Sequence, residues 1–263
     1  MAEATGAMTA GAARAGLAAR GVIYALVGAL ALRIASGDGS RQADRQGALE
    51  EISARPMGAV LLWSLAIGLV GMALWRLSEA LFGAAGPDGR TWRRRLSAAA
   101  RCVFYTFVAH SVSAFAADAG RGASSDEQSR DVTARALELP GGQWLVAAAG
   151  IGVALGGVWV GVRAGTRSYR EHLRLGGMSR WERRAVDVAG VTGGIARGAV
   201  FTVAGAFLVR AAVDYQPDKA KGLDDTLRSF ADAPLGRLLL ACVAAGLVLF
   251  GLFSFAEARW REV

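Results

Sequence analysis

Three copies of one short motif constrain how this chain can fold. In each copy an arginine stands just ahead of an apolar run that ends in an aromatic residue, at residues 19–24, 100–105 and 196–201. A proline follows the arginine after 36, 39 and 37 residues, at Pro56, Pro140 and Pro234. Such regular spacing indicates an internal triplication. We therefore predict a single domain, residues 1–263, made of repeat one (17–83), repeat two (96–165) and repeat three (191–260).

Each repeat contains two hydrophobic segments. The second is an uncharged run of about the 20 residues that cross a bilayer as a helix, at 57–75, 141–162 and 238–256. The first is shorter, at 21–32, 102–117 and 198–209, but its flanking arginines can extend their side chains to the interface. The sequence thus predicts an all-α integral membrane protein with six transmembrane helices. Three two-helix repeats of equal orientation are expected to adopt a pseudo-threefold arrangement.

The distribution of charge predicts how these helices are oriented. The formal net charge is +8, which in a soluble protein would suggest nucleic-acid binding. With a cytoplasmic N terminus, however, 17 of the 30 Lys and Arg residues fall on the inner side. Nine fall in the outer segments together with 14 acidic residues, at 36–56, 118–140 and 214–234. This asymmetry follows the positive-inside rule. We expect a multi-pass protein of the bacterial plasma membrane, with both termini cytoplasmic and no nucleic-acid partner.

The outer segments are predicted to contain short amphipathic helices. Leu49 and Ile52 mark an apolar face in the first segment. Leu223, Leu227 and Phe230 mark a similar face in the third. The repeating unit is therefore an inner arginine, a span, a short outer helix, a proline and a second span.

The inner linker, residues 166–190, is predicted to be a cytoplasmic amphipathic segment. Its arginines recur at helical spacing up to the glycines at 176–177, and the pair Ser179 and Glu182 forms a capping-box pattern that starts the next helix. Two interpretations stay open. The linker lies against anionic headgroups, or it is a connector whose arginines only set the topology.

Closely spaced glycines in the second span of repeat two predict a helix-packing face. They occur as Gly152-x-x-x-Gly156 and Gly157-x-x-x-Gly161. This spacing puts small residues on one side of a helix and lets a neighbouring helix approach closely.

The repeated unit resembles a known bacterial membrane family. The stretch Ala-Arg-Gly-Val-x-Tyr at 19–24, the stretch Leu-Val-Gly-Ala-Leu-Ala-Leu at 26–32 and the pattern Pro-x-Gly…Leu-Trp-Arg-Leu at 56–77 are similar to the family catalogued as domain of unknown function 1206. The resemblance covers residues 17–260 in three tandem copies. It implies a six-helix, three-repeat integral membrane protein, and it implies no activity.

No motif in the sequence indicates an enzyme or a bound cofactor. There is no nucleophile elbow, P-loop or dinucleotide fingerprint. The two histidines are predicted at different depths, which argues against a haem, and the two cysteines do not have metal-ligand spacing. We therefore expect a non-enzymatic protein with no catalytic residue, no metal site and no cofactor.

Charged residues at the inner ends of the spans are the candidate site. In repeat one, Arg20 begins the first span and Glu79 ends the second, and Arg197 and Glu257 hold the same positions in repeat three. Each pair is predicted to form a charge-assisted ion pair within its own hairpin.

Repeat two has Arg163 where the other repeats have glutamate, so Arg101 and Arg163 are expected to face each other. Two arginines repel unless an anion lies between them, and a lipid headgroup phosphate is available at this depth. We predict an anion or lipid-headgroup site at Arg101 and Arg163. The alternative is that both side chains splay into water or pair elsewhere.

Two classes of function follow from these features. The first is a non-enzymatic scaffold or accessory component that contacts anionic lipids of the cytoplasmic leaflet or a partner membrane protein. The second is a channel or transporter for a small solute through or between the repeats. The middle of each span is apolar or glycine, whereas transporters carry intramembrane charges, so the first class is favoured.

Overall fold

The computed structural model describes residues 2–37, 42–54, 57–83, 91–117, 124–232 and 235–261, and in these ranges the protein is all-α, as predicted. The α-helices are α1 (Ala2–Ala35), α2 (Arg45–Ser53), α3 (Gly58–Phe82), α4 (Trp92–Ala117), α5 (Ser125–Leu137), α6 (Gly142–Gly165), α7 (Arg180–Val213), α8 (Leu223–Ala231) and α9 (Gly236–Trp260). The predicted outer helices are α2 and α8, and α5 is their counterpart in repeat two. Two of the repeated prolines, Pro56 and Pro234, lie outside the described residues.

Five of the described helices are long and apolar enough to cross a membrane. They are the segments Ala13–Ala35 of α1, Gly58–Phe82, Gly142–Gly165, Arg180–Val213 and Gly236–Trp260. Helix α4 has 26 residues, but its first turns are rich in arginine, which lowers its hydropathy. The structure therefore supports a multi-pass membrane protein with five candidate spans among the described helices.

The long helices pack in an order that links each repeat to the next. Helix α3 packs on α4, α6 on α7, and α9 on α1, and these are the three junctions between repeats. Within repeats, α1 packs on α3 and α7 packs on α9. The two long helices of repeat two, α4 and α6, form no comparable interface among the described residues. Among the described residues, repeat two is thus the repeat whose two long helices do not pack against each other.

The α6–α7 interface is built on glycines that differ in part from those predicted. A side chain at Gly157 would place its Cβ 2.5 Å from the amide nitrogen of Thr202, and one at Gly205 would place it 2.4 Å from that of Ala154. By contrast, Gly152 and Gly156 have open space where a Cβ would lie. The packing face therefore includes Gly157 but also Gly150, seven residues earlier on α6, and it meets Gly198 and Gly205, which have the same spacing on α7.

A shared turn connects each short helix to the second span of its repeat. The residue before the span is left-handed in all three copies, with φ of 66° at Met57, 75° at Gly141 and 60° at Leu235. The glycine that follows lies against a carbonyl of the short helix. An added Cβ would lie 2.5 Å from the carbonyl oxygen of Ile52 at Gly58, and 1.8 Å from those of Ala136 and Ala231 at Gly142 and Gly236. Only glycine permits this approach, which explains the repeated Pro-x-Gly pattern.

Helices α2, α5 and α8 join through their N-termini in a cycle of hydrogen bonds, which we name the short-helix ring. Asp44 of α2 accepts from the backbone amide of Ser125 at 2.8 Å. Asp126 of α5 accepts from the amide of Asp225 at 3.2 Å. Asp224 of α8 accepts from the amide of Ala43 at 2.7 Å, which closes the cycle. Each repeat is thereby bonded to both of the others.

The carboxylates of the short-helix ring are close enough to affect one another. Burial and the neighbouring carboxylate of Asp225 raise the pKa of Asp126 to about 6. Arginines offset part of this charge, since Arg130 pairs with Asp225 at 2.6 Å and Arg228 with Asp224 at 2.8 Å.

The inner linker is not the basic amphipathic helix that the arginine spacing predicts. Helix α6 ends at Gly165, Arg167 adopts a left-handed conformation with φ of 57°, and only two short 3-10 turns follow before α7. The linker instead contacts the long helices at two points. Arg170 forms an ion pair with Asp187 of α7, and the backbone amide of Arg174 donates to the carbonyl oxygen of Trp260 at 2.9 Å. The capping box of Ser179 and Glu182 is confirmed.

Candidate functional site

Five arginines and two glutamates come together on the long helices, with Arg20 and Arg197 in mid-helix and Arg261 just after α9. We name this group the arginine cluster: Arg20, Arg76, Arg101, Arg197, Arg261, Glu79 and Glu257. Its formal charge is +3, from five cations and two anions. All four residues of the predicted ion pairs belong to it, as does Arg101.

Arg20 and Glu257 form an ion pair that links repeats one and three. Arg20 also donates from Nε to the hydroxyl of Ser254 at 3.1 Å, and its guanidinium lies 5.2 Å from the ring centre of Phe250. The prediction that Arg20 pairs with Glu79 is therefore wrong. Helix α1 packs more extensively on α9 than on α3, so the carboxylate that Arg20 meets belongs to repeat three.

Glu257 also accepts a hydrogen bond from a second arginine. Arg261, one turn further along the chain, donates from Nη1 to the other carboxylate oxygen of Glu257 at 3.1 Å. Burial lowers the pKa of Arg261, while Glu257 acts in the opposite sense. One carboxylate thus neutralises at most one of the two guanidinium groups that contact it.

Glu79 pairs within its own helix. Arg76 donates from Nη1 to Glu79 at 2.5 Å, and its guanidinium lies 4.1 Å from the ring centre of Trp75. Only 5% of Arg76 is exposed, and its buried Nε has no hydrogen-bond partner among the described residues. Arg76 is not among the site residues predicted from the sequence. The sequence feature that could have indicated its role is an arginine three residues before a glutamate in an otherwise apolar helix.

Arg197 is held by aromatic rings rather than by the predicted pair with Glu257. It donates from Nε to the hydroxyl of Tyr24 at 3.0 Å. Its guanidinium lies 5.5, 5.1 and 4.9 Å from the ring centres of Tyr24, Phe201 and Phe250. Glu257 is a nearby charge, but Arg20 and Arg261 occupy its oxygens. The motif aromatics of repeats one and three, Tyr24 and Phe201, therefore both contact Arg197 through cation–π interaction.

Arg101 and Arg163 lie on helices with different partners. Arg101, on α4, is exposed and has Arg76, Glu79 and Arg261 as its charged neighbours. Arg163 is exposed near the end of α6, which packs on α7 rather than on α4. The anion site predicted at Arg101 and Arg163 stays a prediction, and the structure adds Arg76 and Arg261 to the surroundings of Arg101.

A second group of ionisable side chains lies in the short-helix ring. Carboxylate oxygens of Asp126, Asp224 and Asp225 lie within 4.8 Å of one another, a spacing that a metal ion can bridge. Backbone amides and arginines already donate to these three side chains. Their arrangement is accounted for by the junction of the three helices.

Comparisons with known proteins agree with the triplication. A family model described as Domain of Unknown Function (DUF1206) matches three times, at residues 15–83, 96–167 and 192–261, which confirms the resemblance noted in the sequence. The chain is also similar to an Uncharacterized protein YxxB of Bacillus subtilis (strain 168), with 29% identity over 252 residues, or 95% of this chain and 90% of that protein. No solved structure matches.

Proposed function

The chain belongs to the DUF1206 family, and from this premise we propose that it is a non-enzymatic membrane component that binds an anionic lipid at its arginine cluster. The observation that carries the proposal is the local charge of +3 among largely buried side chains. Removing a guanidinium from water costs several kcal/mol unless an anion and hydrogen bonds compensate it. Among the described residues the cluster has two glutamates for five arginines, so ion pairs leave part of its charge uncompensated.

A lipid phosphate carries the negative charge that would compensate the arginine cluster, and it lies at the depth in the membrane that we propose for the cluster. We propose six spans, with α4 as the sixth, in the bacterial plasma membrane with both termini cytoplasmic. Helix α4 has 26 residues, about 39 Å at 1.5 Å per residue, which exceeds the hydrocarbon thickness of roughly 30 Å. In this orientation the arginine cluster lies in the cytoplasmic leaflet, where anionic headgroups are concentrated.

The cyclic junctions between repeats support a pseudo-threefold arrangement. Packing of α3 on α4, α6 on α7 and α9 on α1 repeats one relation three times, and the hydrogen bonds of the short-helix ring repeat another. We propose that the axis lies along the membrane normal, because the three repeats then share one orientation.

The orientation can be tested by cysteine labelling in a variant that lacks Cys102 and Cys242. A membrane-impermeant maleimide should label Glu50→Cys, Asp131→Cys and Asp218→Cys in intact cells, because these exposed positions lie in the proposed outer segments. Gly176→Cys should react only after lysis. Labelling of Gly176→Cys in intact cells would contradict the proposed orientation.

The proposed binding of an anionic lipid can be tested by measuring which lipid the protein retains. The protein, purified in an uncharged detergent, is offered equal amounts of phosphatidylglycerol and phosphatidylcholine, and retained lipid is measured by native mass spectrometry. We expect phosphatidylglycerol to be retained preferentially, and Arg101→Gln to lower its retention roughly fivefold, since each arginine contributes about 1 kcal/mol near an anionic surface. Arg210→Gln, an exposed arginine outside the cluster, is the matched control. Equal retention of both lipids by the wild type would contradict the proposal.

Transport of a small solute is the second candidate function. Apolar side chains of α1, α8 and α9, among them Val27, Leu227 and Leu240, fill the space between these helices. Among the described residues α4 and α6 form no comparable interface, and this open side of repeat two is the feature that favours a solute route. Solute flux in proteoliposomes that equals the flux in empty liposomes would exclude it.

A further inference from the structure

We propose that Arg76, Arg101 and Arg261, one from each repeat, form a binding site for a single phosphate group. The inference rests on the proposed function and deepens it by assigning the residues that hold the anion. The phosphate is either the headgroup of an anionic lipid or a free phosphate, since the chemistry that recognises both is the same.

Two of the five arginines are compensated by partners within the protein. Arg20 has the ion pair with Glu257, the hydroxyl of Ser254 and the ring of Phe250. Arg197 has the hydroxyl of Tyr24 and three aromatic rings. Neither needs a further anion.

The other three arginines have only partial compensation of their charge within the protein. Arg76 has Glu79 on one nitrogen, but its buried Nε has no partner among the described residues. Arg261 uses the Glu257 oxygen that Arg20 leaves. Arg101 has no hydrogen bond or ion pair within the described part of the chain, and Glu79 acts on it as an opposite charge. The unneutralised charge is therefore centred on these three residues.

The three guanidinium groups are also close to one another. Arg76 and Arg261 both act on Arg101 as like charges, and Arg76 acts on Arg261 in the same way. Two of them contact the same indole, since the ring centre of Trp75 lies 4.1 Å from the Arg76 guanidinium and 5.4 Å from that of Arg261. Stacking on one indole holds the planar donors in fixed positions before a ligand arrives.

A phosphate matches these donors better than a smaller anion. Guanidinium groups donate in parallel pairs to oxygens of one phosphate, and a phosphate has enough oxygens to accept from three of them. It would remove the repulsion among the three cations. Arg101 is exposed, so the ligand can reach the site from that side.

The experiment compares four single variants of the full-length protein in uncharged detergent. Arg101→Gln and Arg261→Gln remove cations of the proposed site. Arg163→Gln removes the partner expected from the sequence, and Arg259→Gln removes an exposed arginine two residues before Arg261, near the end of α9. Gel filtration and the apparent melting temperature confirm that each variant is folded. Retention of phosphatidylglycerol over phosphatidylcholine is measured by native mass spectrometry, and stabilisation by inorganic phosphate over chloride is measured by thermal unfolding.

We expect Arg101→Gln and Arg261→Gln each to lose phosphatidylglycerol about fivefold, while Arg163→Gln and Arg259→Gln retain it. If Arg163→Gln loses the lipid and Arg261→Gln does not, the assigned site is wrong and the proposed function stands. If the wild type shows no lipid preference but is stabilised by phosphate in a way that Arg101→Gln and Arg261→Gln abolish, the site stands with free phosphate as its ligand and the lipid function falls. If neither ligand has an effect on the wild type, both are wrong.

Discussion

Replacement of Glu257 by glutamine is expected to lower the apparent melting temperature in detergent by on the order of 10 °C. Glu257 is 8% exposed and accepts from both Arg20 and Arg261, so its loss leaves two guanidinium groups without a carboxylate. Removing one partner of a buried ion pair costs about 3–5 kcal/mol, and each kcal/mol corresponds to about 2–4 °C in a chain of this size. The local charge also rises from +3 to +4.

A matched control separates the buried position from a general effect of charge. Glu138→Gln makes the same change at an exposed residue and should leave the melting temperature within about 1 °C. A second comparison uses Arg20→Gln, alone and combined with Glu257→Gln. Because the two residues are in contact, the double variant should lose less than the sum of the single losses. Additive losses, or a small effect of Glu257→Gln alone, would show that this ion pair does not hold α1 to α9.

The sequence predicts well those features that depend on local pattern. Apolar runs locate the long helices because a span needs a fixed number of uncharged residues. Leu49 and Leu227 mark the short helices because their periodicity matches one helix face. Ser179 and Glu182 start α7 because a capping box satisfies free amides at the helix N-terminus.

Partner choice among charged residues could not be predicted in this way. Membership of one hairpin predicts a pair of Arg20 with Glu79, whereas in the structure Arg20 pairs with Glu257. Glu79 lies within reach of Arg76, three residues earlier on its own helix. Which carboxylate an arginine meets depends on which helices pack most closely, and α1 packs most extensively on α9. Spacing along the chain carries no information about that preference.

The inner linker illustrates a second limit. Arginines at helical spacing predict a helix there, yet Arg170 and Arg174 are taken up by contacts with α7 and the end of α9. Tertiary contacts of this kind outweigh a weak local preference for helix. A left-handed residue at Arg167 redirects the chain so that these contacts can form.

Replacement of Gly157 by leucine is expected to lower the stability of the protein by about 3 kcal/mol or more. A Cβ at this position would lie 2.5 Å from the amide nitrogen of Thr202 and 2.6 Å from the carbonyl oxygen of Gly198. Both obstacles are backbone atoms of α7, so a rotamer change cannot relieve the overlap and the two helices must separate. Overpacking of a close interface costs about 1–3 kcal/mol and occasionally more.

The adjacent glycine provides the control. Gly156 lies on the same helix with no atom within 4 Å of an added Cβ, so Gly156→Leu introduces the same side chain without a clash. It should leave the melting temperature unchanged or raise it, because leucine favours helix over glycine by roughly 0.8 kcal/mol. The comparison is made by thermal unfolding in one detergent. Because both glycines belong to overlapping G-x-x-x-G patterns, equal losses in the two variants would mean that the pattern as a whole, and not the α6–α7 contact at Gly157, determines stability.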